Sequence, residues 1–303
     1  MMPRMVVTHT SETQSGQIYM PQINTMLMLG VLVLVLGFGS SSALSNAYGI
    51  AVSGVMIVTL SLLVVVMWRN WKWHPAAVIS FGIVFALIDG GFFAANAAKL
   101  FQGGWVPAVV AMVVALIMWS WMAGRRRLSE KTRRDEVPLQ FLVDNLSKKK
   151  PTIVPGTAVF LTSTPDIAPT ALMHNLKHNR VIHERNIILA IKTEDVPRVP
   201  RHERVKIEAV SDTFTRVIAH YGFMETPSVP KIFDHCRRKD LNIDIGGTSF
   251  FLSRRSLKPV RGKGLPIWQE GLFMSMAASA EDATTYFGIP SDRVVEIGTQ
   301  VEI

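Results

Sequence analysis

Four long apolar runs fill most of the first 123 residues and limit what this chain can fold into. A helix needs about 20 apolar residues to cross the roughly 30 Å hydrocarbon core of a membrane. A helix of that length in a soluble protein carries a polar stripe on its solvent face, and none of the four runs does. The sequence therefore predicts four membrane-spanning helices, over 23–38, 48–68, 76–98 and 105–123.

Charge separates these runs from the rest of the chain. All but six of the charged side chains follow Ala123, where Arg125, Arg126 and Arg127 open a basic segment. Another basic patch lies between the second and third runs. Cytoplasmic loops of membrane proteins carry an excess of Lys and Arg, so both places are predicted to be cytoplasmic. We expect the chain to begin inside, cross four times and end in the cytoplasm, with lipid attracted to the basic segment.

The last half of the chain has the pattern of a soluble α/β domain. Continuous apolar runs at 157–161 and 187–191 are typical of strands covered on both faces, with a helix predicted between them at 169–179. Alternation at 205–209 and at 295–303 predicts two half-exposed strands. The predicted regions are a cytoplasmic lead-in at 1–22, a four-helix transmembrane region at 23–123, a basic juxtamembrane linker at 124–154 and a cytoplasmic α/β domain at 155–303.

Polar residues within the apolar runs are the candidate functional residues. Asp89 is the only ionisable residue inside any run, and Asn96 follows it two helical turns later on the same face. A carboxylate in hydrocarbon is expensive unless it is paired or neutral. Three roles of Asp89 remain possible at this point. It could form a structural hydrogen bond to a neighbouring span, handle an ion or proton, or belong to an interface with a partner.

Small and hydroxyl-bearing residues are concentrated at 40–54, a segment that also holds Asn46 and Tyr48. Small residues allow close packing of helices in membranes. Backbone oxygens at a helix break can instead coordinate a dehydrated cation, and both readings remain open. Asp89, Asn96, Asn46 and Tyr48 form the predicted set of transport-related intramembrane polar residues.

Enzymatic and metal chemistry find little support in the sequence. Cys236 is the only cysteine, which excludes an intramolecular disulfide and a cysteine-based metal cluster within the chain. His174 and His178 have helical spacing but lack a zincin motif, and no phosphate-binding glycine motif occurs. The basic segment carries no nucleic-acid recognition motif. We predict no catalytic residue, no metal site, no cofactor and no nucleic-acid partner.

Several segments together carry a resemblance to a known family. They are GQIYMPQIN at 16–24, SSSAL at 40–44, AYGIAVSG at 47–54, Ile88-Asp89, Phe92-Phe93, Ala95-Asn96, GGWVP at 103–107, PGTAVFL at 155–161 and the terminal stretch 293–303. They resemble the Kup (HAK/KT) family of potassium uptake proteins, and the resemblance covers nearly the whole chain.

The resemblance implies a fold larger than this chain. Family members have twelve spans in an inverted-repeat transporter fold with both termini in the cytoplasm. This chain is similar to the last four spans and the cytoplasmic domain, as a C-terminal fragment would be. The ion-binding and proton-coupling residues of the family lie mainly on its first, third and sixth spans, so none is carried over. The implied peripheral position of the third predicted span favours a packing or assembly role for Asp89.

Two functions from different classes follow. The first is potassium transport across the bacterial plasma (inner) membrane, proton-coupled by resemblance, with K⁺ and H⁺ as transported ions. Its partners would be the missing N-terminal transporter half or a second copy in a homodimer. The second is a membrane-anchored regulatory or assembly subunit, whose cytoplasmic α/β domain binds a ligand or partner. In both, the fold class is a membrane all-α region of four transmembrane helices followed by a soluble α/β domain.

Overall fold

The computed structural model describes residues 7–134, 136–148, 151–258, 266–278 and 287–302. These residues form two compact units. One unit is Pro21–Trp119, here called the membrane unit. The other combines the first twenty residues with Ser120–Ile303 and is here called the α/β unit. The boundary between the units falls inside one long helix, which belongs to both.

The predicted membrane helices are confirmed, because four helices are long and apolar enough to span a bilayer. Most of their large apolar side chains lie on the surface, as expected of helices that face lipid or further spans. A short 3-10 turn at Leu100–Gln102 precedes the last of them. The helices are α1 at Pro21–Phe38, α2 at Ser41–Arg69, α3 at Pro75–Ala97 and α4 at Trp105–Arg134.

Helix α2 begins seven residues before the predicted start of the second span. The Ser40 side chain caps it by accepting a hydrogen bond from the Ala43 backbone N–H at 3.4 Å. The helix then runs without interruption through the small-residue segment to Arg69. The segment 40–54 therefore contains no helix break after Ser41, and its small residues pack α2 against α3 and the turn before α4, while the cation-site alternative stays untested.

The basic segment after the fourth span is largely helical. Helix α4 has 30 residues, which corresponds to about 45 Å and exceeds the hydrocarbon thickness of a membrane. A second helix, α5 at Leu139–Lys148, follows it. Leu139 is completely buried and Val143 nearly so, and both belong to one of the α/β unit's hydrophobic clusters. Packing of the α/β unit therefore begins well before residue 155.

A six-stranded sheet forms the centre of the α/β unit, in the order β5-β6-β4-β3-β7-β8. All neighbouring strands are parallel except β5 and β6. The predicted buried strands, β3 and β4, lie in the middle, and both predicted half-exposed strands lie at the edges. The elements are β3 Thr152–Thr162, α6 Thr170–His178, β4 Val181–Glu194, β5 Val205–Ala209, β6 Phe214–Gly222, α7 Val229–Arg237, β7 Thr248–Lys258, α8 Ile267–Ala278 and β8 Val294–Glu302.

The lead-in forms a small hairpin that the sequence analysis did not foresee. Strands β1 at Thr8–His9 and β2 at Ile18–Tyr19 pair antiparallel. The Glu12 carboxylate accepts a hydrogen bond from Arg198 at 2.8 Å, and the His9 ring lies 5.2 Å from the Phe223 ring. Both contacts involve loops at the carboxyl ends of β4 and β6. The hairpin is thus part of the α/β unit.

An ion pair with little solvent exposure stabilises the same end of the sheet. Arg204 donates to the Glu225 carboxylate and to the Val199 carbonyl, the latter at 2.8 Å. The Glu225 carboxylate also accepts from the backbone N–H of Gly222 at 2.8 Å. Burial works against the charge of Glu225, but Arg204 and the backbone donors outweigh it and lower the pKa of this carboxyl.

This pair predicts a pH dependence of the α/β unit. A carboxyl whose pKa is lower in the folded state adds stability above its ordinary pKa of 4.5, and that stability is lost as the pH falls through the folded pKa. Glu225→Gln leaves Arg204 unpaired and should destabilise the unit by about 3 kcal/mol at pH 7. Urea unfolding of detergent-solubilised chain should show this difference shrinking below pH 4.5. The exposed Glu203→Gln serves as a control, and an equal difference at every pH would contradict the prediction.

The buried position of Leu139 predicts that α5 contributes to the stability of the α/β unit. Leu139→Ala should lower the free energy of unfolding by about 2–4 kcal/mol, because it removes buried methyl groups and leaves a cavity. Phe141 lies on the same helix with 61% of its surface exposed, so Phe141→Ala is the matched control. Hydrogen exchange of the β4 amides measures both effects. Equal protection in the two variants would show that α5 is not part of this core.

Candidate functional site

Helices α2 and α3 form the most extensive helix contact of the membrane unit. Gly49 and Ser53 lie one turn apart on α2 and face Asn96 near the end of α3. Small residues allow the two backbones to approach, since bulkier side chains would hold the helices further apart. We call Gly49, Ser53 and Asn96 the polar seam.

Hydrogen bonds connect the members of the polar seam. The Ser53 hydroxyl donates to the Gly49 carbonyl at 2.7 Å and accepts from the Asn96 side-chain amide at 3.5 Å. The same amide donates to the Phe92 carbonyl at 3.0 Å. Ser53 is only 2% exposed. These neutral groups bond to one another and to helix carbonyls, an arrangement suited to fixing two helices together.

Gly49 has no room for a side chain. A Cβ atom at this position would lie 2.6 Å from the side-chain oxygen Oδ1 of Asn96, closer than real Cβ contacts. Any residue other than glycine would therefore push the Asn96 amide away from Ser53. The seam depends on a glycine that the sequence analysis placed only within a small-residue segment.

The turn before α4 packs against the start of α2. Gly103 has a φ of 114°, and a Cβ there would lie 2.9 Å from the Ala43 carbonyl oxygen. A Cβ at Gly104 would come still closer to the side chain of Ile50. Asn46 donates to the Gln102 carbonyl at 3.4 Å. Asn46 therefore ties the turn to α2 and takes no part in the polar seam.

Asp89 lies on α3 between Phe85 and Asn96, and its side chain reaches a groove of about 500 Å³ between α2 and α3. The residue is 6% exposed. The described residues provide no hydrogen bond to its carboxyl group. The groove is otherwise almost entirely apolar and is lined by Ala51, Val52, Val55, Met56, Thr59, Leu60, Leu63, Phe81 and Phe85.

Three of the four predicted polar residues thus lie in three different places. Asn96 belongs to the polar seam, Asn46 to the turn before α4, and Asp89 to the groove. Tyr48 is 70% exposed and belongs to none of them. Ser53 was missed as a functional residue, although its one-turn spacing from Gly49 is the signal that identifies it once α2 is known to be helical.

The α/β unit has a surface cavity of about 590 Å³ beside β5. Its polar side chains are engaged within the protein. Lys239 donates to the Val205 carbonyl at 2.6 Å, and His220 bonds to the Glu194 carboxylate at 2.6 Å. Within the described part of the chain, no group of three or more His, Cys, Asp or Glu side chains is placed to hold a metal ion. The membrane unit is therefore the stronger candidate region.

Comparison with known proteins also distinguishes a membrane part of the chain from a C-terminal domain. Residues 1–126 match the model of the K⁺ potassium transporter integral membrane domain, and residues 155–303 match that of the K⁺ potassium transporter C-terminal domain. The chain belongs to the Kup family of potassium transporters. This is a family of transporters rather than enzymes, and its matched membrane domain establishes a multi-pass membrane protein.

Individual Kup relatives match over the full length of the chain. It is 55% identical over 303 residues to the "Probable potassium transport system protein Kup 2" of Mesorhizobium japonicum. It is 52% identical to Kup 3 of Rhizobium johnstonii and 50% identical to Kup of Caulobacter vibrioides. The matches cover all of this chain but only 46–48% of those relatives. The chain therefore spans about half the length of the relatives it matches.

The geometry of the polar seam predicts the effect of a single methyl group. Gly49→Ala should displace Asn96, break its bond to Ser53 and destabilise the α2–α3 pair by about 1 kcal/mol, the size of an interhelical hydrogen bond in a membrane. Gly54→Ala is the matched control on the same helix, because its Cβ would lie 4.0 Å from the nearest atom. Thermal unfolding in detergent compares the two. Equal melting temperatures would contradict the proposed fit at Gly49.

Proposed function

We propose that this chain supplies the last membrane helices and the cytoplasmic domain of a potassium transporter in the bacterial plasma membrane. The observation that carries this proposal is the full-length match, at 50–55% identity, to relatives named as potassium transport proteins. Both matched family domains occur in the expected order. The chain's share of those relatives is about half, so transport is assigned to the chain together with a further membrane part.

The orientation in the proposal follows from charge. Arg69 and Lys72 follow α2, and the basic end of α4 lies beyond the fourth span. Lys and Arg favour the cytoplasmic side, so this proposal places the α/β unit in the cytoplasm. An arginine over a tryptophan ring suits a membrane interface, and Arg69 lies 6.0 Å from the Trp68 ring centre.

Each part has a physical role in the proposed transporter. A dehydrated ion path needs helices fixed against each other, and the polar seam fixes α2 against α3. Proton coupling is part of the proposal through the family resemblance. The residues that bind potassium and couple it to protons are assigned to the further membrane part, because the seam offers only one hydroxyl and one amide, both already bonded.

Growth of a bacterium that lacks its own potassium uptake systems tests this function. At low potassium, the chain alone should not restore growth. Together with the preceding half of Mesorhizobium japonicum Kup 2, it should restore growth, because the two parts then make up one complete transporter. The intact Kup 2 protein is the positive control. Growth supported by this chain alone, or failure of the combined halves beside a working control, would contradict the proposal.

A further inference from the structure

The groove that contains Asp89 has a shape that could bind another helix. Its α2 wall consists of residues spaced by four, such as Val52, Met56 and Leu60, and its α3 wall repeats this spacing at Phe81, Phe85 and Asp89. Rows of residues spaced by four form the ridges that interlock when helices pack. The α2 wall runs for about 18 Å, which corresponds to more than three turns of a helix.

The Asp89 carboxyl group indicates which kind of molecule the groove would bind. It has no hydrogen-bond partner among the described residues, and an unsatisfied polar group in hydrocarbon costs several kcal/mol. Lipid acyl chains carry no group that could satisfy it. A membrane helix with a polar side chain could form a hydrogen bond with this carboxyl group. The side chain that fits is one that donates a hydrogen bond to the carboxyl oxygens.

We propose that this groove binds a membrane helix of the other half of the transporter, and that this helix presents a hydrogen-bond-donating side chain to Asp89. The inference rests on the proposed function, since it takes its occupant from the membrane part that the relatives have in addition. That part is large enough, because this chain makes up 48% of Mesorhizobium japonicum Kup 2. The hydrogen bond makes the groove selective for a helix over lipid.

Co-purification tests the proposal. The full chain and the preceding half of Kup 2 carry different tags and are expressed together, and the amount of the Kup 2 half recovered with the chain is measured in mild detergent. Asp89→Leu should reduce recovery at least tenfold, whereas Asp89→Asn should reduce it less than threefold, because an amide preserves the hydrogen bond. Leu87→Ala, at a position 73% exposed on the same helix, should have no effect.

Three results would overturn the proposal. These are unchanged recovery with Asp89→Leu, a loss with Asp89→Asn as large as with Asp89→Leu, and absence of the Kup 2 half from the purified wild-type chain. Leucine favours membrane insertion, so a loss with Asp89→Leu does not reflect failed insertion, and size-exclusion elution of the variant checks this. Recovery as predicted without growth at low potassium would leave this inference standing and contradict the proposed function alone.

Discussion

Hydrocarbon offers no hydrogen bonds, so every polar group within a membrane must find its partner inside the protein. Backbone groups of α1 to α4 meet this requirement by helix formation. Ser53 and Asn96 meet it by bonding across the α2–α3 contact, where Gly49 provides the necessary space. Asp89 is a charged residue type within α3, and the described residues give its carboxyl group no hydrogen bond. The same constraint that explains the polar seam therefore leads to the proposal that the groove around Asp89 binds a further membrane helix.

A single helix, α4, joins the membrane unit to the α/β unit. The apolar start of α4 belongs to the membrane unit, and its basic end belongs to the α/β unit. In the second half of the helix, the Trp121 ring lies 5.3 Å from the Phe273 ring of α8. A Cβ at Gly124 would collide with that phenylalanine. The first part of α4 is therefore suited to contact lipid, whereas its second part packs against protein side chains.

The sequence predicted the elements whose signal is local and missed those that depend on distant contacts. Hydropathy located the four spans, and uninterrupted apolar runs located β3 and β4, because burial on all sides requires such composition. The first two turns of α2 were missed, since the residues from Ser41 to Ala47 are mostly small or polar, and two of them, Ala43 and Asn46, contact the turn before α4. Helix α5 was missed because it is short and follows a charged segment, and because its core contacts, made by Leu139 and Val143 with Leu142 and Leu146 beside them, join residues distant in the sequence. The role of Ser53 can be recognised only when the structure shows that Asn96 faces it.

Cys236 makes the chain convenient for chemical mapping. It is completely buried on α7, and burial raises the pKa of its thiol to about 12, so the reactive thiolate is scarce at neutral pH. A cysteine introduced at the surface would be the only thiol that a water-soluble maleimide labels readily. Cysteines can therefore be introduced into the loops one at a time without first replacing Cys236. Labelling of each introduced cysteine from one side of the membrane then shows on which side its loop lies.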